Sequence, residues 1–228
     1  MIQMKNVYKK YPNGIVALNG LTVEIGQGEF VYVVGPSGAG KSTFIKMMYR
    51  EERPTSGQML INNVDIATLK NKRVPMLRRQ IGVVFQDFKL LPRLNVYENV
   101  AFALEVIEET PEMIRKRVME VLDLVGLKHK ARMFPTELSG GEQQRVSIAR
   151  SIVNKPKIVI ADEPTGNLDP ETSWDIMDLF ERINATGTTI LMATHNREVV
   201  NKRRHRVIAI EGGLIVRDVA GGDYGYEG

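Results

Sequence analysis

The chain has 228 residues, 43% of them hydrophobic and 25% charged, which suits one generous domain or two small ones and argues against disorder. It has no cysteine, and this excludes a disulfide framework, a cysteine nucleophile, thiolate-bound zinc and iron–sulfur clusters. Lys plus Arg number 31 against 27 acidic residues, and the resulting +4 does not by itself indicate nucleic acid. The longest apolar runs are a few residues, far short of the roughly 20 that a membrane-spanning helix needs. Met1-Ile2-Gln3-Met4-Lys5 also lacks the basic-then-apolar order of a secretory signal, so a soluble, cytoplasmic chain is expected.

Strands alternate with helices along the chain. Phe30 to Val34 is a short β-rich apolar run that ends at a glycine, and it reads as a buried strand. A helix follows from Lys41 to Arg50, with Phe44, Ile45, Met47 and Met48 on one face and Pro54 beyond it. Met59 to Ile61 and Ile81 to Phe85 read as further strands. From about 87 to 140 the pattern is helical, first over Asn95 to Ile107 and then over Pro111 to Val125. Thr110 suits an N-cap there, Pro111 the first helical position and Gly126 the stop. Alternation resumes after Pro156: strand Ile158 to Ala161, helix Glu171 to Asn184, strand Thr188 to Ala193. Val207 to Ile210 and Leu214 to Val216 flank Gly212-Gly213 as a hairpin. The pattern predicts an α/β fold with a mostly parallel sheet covered on both faces, interrupted by a helical insertion.

The first strand runs into Gly35-Pro36-Ser37-Gly38-Ala39-Gly40-Lys41-Ser42, with Thr43 next, which matches the phosphate-binding loop pattern at every fixed position. Glycines let successive backbone N–H groups face phosphate oxygens, and a helix N-terminus adds positive potential. Lys41 is placed to reach the β- and γ-phosphates of a nucleoside triphosphate, and the Ser42 hydroxyl to ligate Mg²⁺. Such a loop needs a carboxylate at the end of a neighbouring strand to hold the metal. Asp162 supplies it, with Glu163 immediately after. Side chains adjacent on a strand point apart, so both reach the site only if the chain turns at the strand's exit. Glu163 is then positioned to take a proton from an attacking water.

A second anion site lies at Leu138-Ser139-Gly140-Gly141-Glu142, since Val146, Ala149 and Val153 recur at helical spacing behind it. It offers a hydroxyl, free N–H groups and a helix start, with no lysine or metal ligand of its own.

That pentapeptide, about twenty residues before Asp162-Glu163, resembles the signature motif of the ATP-binding-cassette (ABC) ATPases, and the resemblance covers nearly the whole chain. It implies a P-loop NTPase core of the RecA type with an N-terminal antiparallel β part and a helical subdomain. The whole forms one domain, with core 1–86 and 141–228 and helices at about 87–140. It also implies that Gln86 is the Q-loop glutamine, His195 the switch histidine, Asn167-Leu168-Asp169 the D-loop and Tyr11 the aromatic that stacks on adenine. Catalysis would fall to Glu163, His195, Gln86 and Lys41. Nucleotide contacts would come from Tyr11, residues 35–43, Ser139, Gly140, Gly141 and Asp169. Ser42, Gln86 and Asp162 would hold Mg²⁺. Two cassettes would pair head to tail around ATP, so that Lys41 and Glu163 of one face Ser139 and Gly141 of the other.

The resemblance further implies a separate integral membrane subunit of the permease kind, received near Asp87 to Asn99. Phe88, Leu90 and Leu91 there suit either an apolar docking groove or ordinary subdomain core. The chain would then sit peripherally on the cytoplasmic face of the membrane. Within the family it most resembles the cell-division branch, through Met48 to Glu52, Phe85 to Pro92, Val118 to Gly126 and the ending Tyr224-Gly225-Tyr226-Glu227. Gly166-Asn167 before Leu168-Asp169 points the same way. Lipoprotein-release and peptide or macrolide export branches share most of these motifs. A soluble cassette acting on DNA or ribosomes remains a further alternative. The basic clusters Lys202 to Arg206 and Lys128 to Arg132 read as solvated faces, and no nucleic acid is expected as a partner.

Overall fold

The computed structural model describes residues 1–225, so Tyr226 and Glu227 of the ending compared above lie outside the described residues. The chain opens with β1 (Ile2–Lys10) and β2 (Val16–Ile25), whose alternating buried residues press one face inward. β3 (Phe30–Val34) leads into α1 (Lys41–Met48), followed by β4 (Ser56–Ile61), β5 (Val64–Asp65), the short α2 (Val74–Arg78) and β6 (Ile81–Val84). Then come α3 (Val96–Glu105), α4 (Pro111–Leu124) and α5 (Gly140–Ile152). β7 (Ile158–Asp162), α6 (Pro170–Ala185), β8 (Thr189–Ala193), α7 (Arg197–Arg203), β9 (Arg206–Glu211) and β10 (Leu214–Val219) complete the described elements.

Two sheets form among the described residues. One is antiparallel, in the order β2-β1-β4-β5, and the other runs β10-β9-β3-β8-β7-β6. The second is parallel throughout except for the β9–β10 hairpin. Its central strands are buried on both faces. Phe30, Tyr32 and Val34 of β3 enter one apolar layer with α3 to α7, whereas Val31 and Val33 enter the other with α1 and the antiparallel sheet. β7 and β8 divide their residues in the same way, so the large sheet is the middle of a layered α/β sandwich. The chain is thus an α/β fold with one antiparallel and one mostly parallel sheet plus helices.

Helix starts follow from the sequence. Asn95 caps α3 reciprocally with Glu98, Thr110 caps α4 ahead of Pro111, Ser139 caps α5 reciprocally with Glu142, and Asp169 caps α6 ahead of Pro170. Asn99, fully buried, fixes the segment before α3. Its Oδ1 accepts from Leu91 N at 2.8 Å, and its Nδ2 donates to the carbonyls of Leu91, Leu94 and Asn95 at 3.1, 2.8 and 3.0 Å. Leu90 packs against the main apolar core, while Phe88 and Leu91 are half-buried.

Candidate nucleotide site

Three loops meet at the carboxyl ends of neighbouring strands: the glycine-rich loop after β3, the turn after β7 and the segment after β8. This is where ligands gather on open parallel sheets. Gly35 (φ 145°) and Gly40 (φ 106°) have left-handed backbones. At both positions a side chain would run into a backbone carbonyl, of Ile210 and Ala17 respectively, so other residues are excluded. Gly40 stands at the N-cap of α1 and provides no side-chain cap, which leaves the first N–H groups of the helix facing the loop's concavity. Lys41 Nζ lies over that loop and donates to the carbonyls of Gly35 at 2.7 Å and Pro36 at 3.0 Å.

The cleft measures about 850 Å³ and is walled by residues 35–43, Tyr11, Asp162, Glu163, His195 and Tyr224. That volume suits a nucleotide. Tyr11 lies at its margin, with its hydroxyl 3.1 Å from Thr43 Oγ1 and Lys9 Nζ 4.9 Å from its ring centre. Asn13, Ile15 and Val16 extend the same wall.

Asp162 and Glu163 both reach the cleft, and the backbone explains how. Glu163 has φ 49°, a left-handed turn at the first residue after β7, so the two side chains no longer point apart. Its N–H donates to Ala193 O at 2.9 Å, which ties the turn to β8. Oε2 accepts from His195 N at 3.1 Å and lies 2.9 Å from His195 Nδ1. Burial first, and then the neighbouring Glu163 charge, push the Asp162 carboxyl above the usual range, with Lys46 and Lys41 opposing. A half-buried carboxylate beside a second one is a place that a cation relieves. Hard oxygen donors from Ser42 and Asp162 suit Mg²⁺, which keeps phosphate and water as its other ligands.

Other expected residues lie outside this cleft. Ser139, Gly140 and Gly141 stand together at the start of α5. There Ser139 Oγ accepts from Glu142 N at 3.3 Å, and Glu142 Oε2 accepts from Ser139 N at 3.0 Å. Asp169 caps α6 through Thr172 N at 2.9 Å, and the Thr172 hydrogen bonds hold its carboxyl below the ordinary range. Gln86 is not on the cleft wall and instead faces Asn167. Residues 202–206 and 128–132 are largely engaged by their own protein. Arg203 pairs with Asp178, His205 with Glu181, Arg206 with Glu29 and Asp218, Lys130 with Glu142 and Lys128 with Asp123. Lys202 lies over the Trp174 ring at 4.3 Å.

Tyr224, part of the ending that carries the branch resemblance, is a wall residue that the sequence does not place in the site. Its N–H donates to Asn201 Oδ1 at 2.7 Å, and the Arg197 guanidinium lies 5.4 Å from its ring centre, so the C-terminal segment is folded back along α7 to the cleft. A single tyrosine just after Gly221-Gly222 carries no periodic signal that would place it here.

Residues 18–166 match the ABC transporter family. The chain is 72% identical to the cell division ATP-binding protein FtsE of Bacillus subtilis (strain 168) over 225 residues, covering 99% of each. It is 63% identical to the FtsE of Streptococcus pneumoniae serotype 2 over 227 residues, covering 100% of this chain and 99% of that one. Among solved structures, the dimeric post-hydrolysis state of the ATP-binding cassette MJ0796, bound to ADP and Pi, superposes with a TM-score of 0.87 at 37% identity, covering 97% of this chain and 99% of that one. With the phosphate loop, the carboxylate pair and the signature pentapeptide set on this fold, the chain belongs to the ABC transporter family and is one of its ATP-hydrolysing cassettes.

Proposed function

We propose that this protein is the ATPase subunit of a bacterial membrane complex in cell division, of the FtsE kind, paired with an integral membrane subunit of the FtsX kind. The observation that carries this reading is end-to-end similarity at 72% identity to a protein of that name. ATP-driven dimerisation would transmit a conformational change across the membrane to regulate peptidoglycan hydrolases. The protein would sit peripherally on the cytoplasmic face, and no helix among the described residues is long and apolar enough to cross a membrane.

In this reading Tyr11 stacks on adenine, and residues 35–43 cradle the phosphates through backbone N–H groups, with Lys41 at the β- and γ-phosphates. Ser42 and Asp162 hold Mg²⁺, joined by Gln86. The ion, when bound, neutralises charge on the phosphate oxygens. Glu163 accepts a proton from the attacking water, and His195, hydrogen-bonded to the same carboxylate, keeps it oriented and senses the γ-phosphate. Ser139, Gly140, Gly141 and Asp169, remote from their own cleft, serve the nucleotide of a second copy. The 37% identical cassette whose solved structure is dimeric supports that arrangement.

Affinity capture from bacterial membranes with Glu163→Gln loaded with MgATP tests the reading. An FtsX-type permease is the expected co-purifying protein. Recovery of a lipoprotein-release or export permease in its place overturns the assignment to division.

A further inference from the structure

Gln86 and Asn167, 81 residues apart in sequence, exchange two hydrogen bonds. Gln86 Nε2 donates to Asn167 Oδ1 at 3.3 Å, and Asn167 Nδ2 donates to the Gln86 carbonyl at 3.2 Å. The residue before Asn167 makes room for this. A Cβ at Gly166 would stand 2.9 Å from Gln86 Nε2 and 3.4 Å from Gln86 Cδ, so any side chain there displaces the glutamine's amide. Gly166 and Asn167 therefore act on the same side chain, one by leaving space and the other by supplying partners. The cleft wall includes Glu163 and His195 but not Gln86.

We infer that Asn167 is a positioning residue that clasps Gln86 against the D-loop, out of the nucleotide cleft, and so restrains basal ATP hydrolysis until the clasp opens. This rests on the reading above in which Gln86 serves the reacting end of the cleft. Both partners are exposed, so water competes for each bond and the clasp opens readily. The segment that follows Gln86 is built to transmit the opening. Phe88 and Lys89 both have left-handed backbones, at φ 60° and 49°. Their carbonyls are gripped by Arg150 of α5 at 2.9 and 2.7 Å. A subunit pressing on this stretch thus acts on a loop held at one end by Arg150 and at the other by Asn167.

The test is a double-mutant cycle on Gln86 and Asn167, read two ways. In thermal unfolding without nucleotide, Gln86→Ala and Asn167→Ala each lower Tm by about 2–4 °C and combine less than additively. In steady-state hydrolysis, Asn167→Ala and Gly166→Ala raise the basal rate by about 3- to 10-fold, the range that one net amide hydrogen bond supports. On the Gln86→Ala background Asn167→Ala has no such effect. Fully additive melting shifts overturn the clasp, as does a basal rate that is unchanged or lower in Asn167→Ala, or a rise that survives without Gln86. If the unmodified protein hydrolyses no more ATP than Glu163→Gln does, the reading of the cleft fails instead, and the nucleotide-free melting cycle still decides whether the clasp exists.

Discussion

His195 and Glu163 are joined twice: the backbone N–H of His195 donates to Glu163 Oε2 at 3.1 Å, and its Nδ1 lies 2.9 Å from the same oxygen. The carboxylate is thereby held in the cleft, although it belongs to a residue whose backbone has turned into the left-handed region. Glu163→Gln keeps the shape and the acceptor oxygen but cannot take a proton. Hydrolysis should fall by about 10²- to 10⁴-fold with ATP affinity within about twofold. Phosphate release and equilibrium binding of a fluorescent ATP analogue measure the two quantities separately. A variant that turns over at the unmodified rate removes Glu163 from the role of base.

The start of α5 presents Ser139 to solvent away from the cleft on its own chain. A half-site of this kind gains its nucleotide by meeting a second copy, and two-fold pairing completes two at once. Glu163→Gln should double its mass in light scattering when MgATP is added and return to the single-chain mass on its removal. Adding Lys41→Ala should abolish the change. A persistent single-chain mass at high concentration with saturating MgATP contradicts the pairing.

Glu142 reports on the integrity of that helix start. The Lys130 side chain, at 2.6 Å, and then the Ser139 backbone N–H hold its carboxyl below the ordinary range. A carboxylate lowered on folding stabilises the protein fully above its unfolded value, about 4.3, and loses that contribution as pH falls through the lower folded value. Glu142→Gln retains an acceptor for Ser139 N and loses the charge. It should cost about 1 kcal/mol at pH 7 and much less near pH 3. Urea unfolding at both pH values checks this. An equal deficit at both shows that the charge contributes nothing.

Asn99 makes four hydrogen bonds from a site with no solvent exposure. Asn99→Ala strands one N–H and removes the donors to three carbonyls, in a place that water does not readily reach. The expected loss is about 2–4 kcal/mol in urea denaturation. Faster amide exchange should be concentrated at Leu91 to Asn95. A loss spread evenly over the chain, or none, shows that the segment is held by something else.

The residues that had to be local were legible in the sequence. The apolar run into Gly35, the Thr110-Pro111 start of α4 and the Ser139 start of α5 each declare themselves within a turn or two, because strand burial and helix capping are short-range demands. Asp162 and Glu163 were also readable as a pair, although the left-handed backbone that lets both face the cleft was not. Less visible were the contacts made by long side chains to distant backbone: Arg150 to Phe88 and Lys89, Asn99 to its own preceding loop, Gln86 to Asn167. α7 was hidden within a charged stretch, since only Val199 and Val200 of its seven residues are buried. Tyr224 was legible as part of a branch-specific ending but not as a wall of the cleft, because its place depends on how the segment after β10 runs back over α7.

β3 carries the phosphate loop at its end, and both of its neighbours, β8 and β9, come from residues 189–211. On a ribosome adding about 5–20 residues per second, this fully buried strand waits roughly eight to thirty seconds for either flank. During that interval five consecutive core residues and their hydrogen-bonding edges are open to misplaced partners. Chaperone dependence during synthesis should therefore peak before β8 leaves the ribosome. Competence to bind nucleotide should appear late and abruptly, since the loop at the end of β3 cannot settle until the strand beneath it has been walled in.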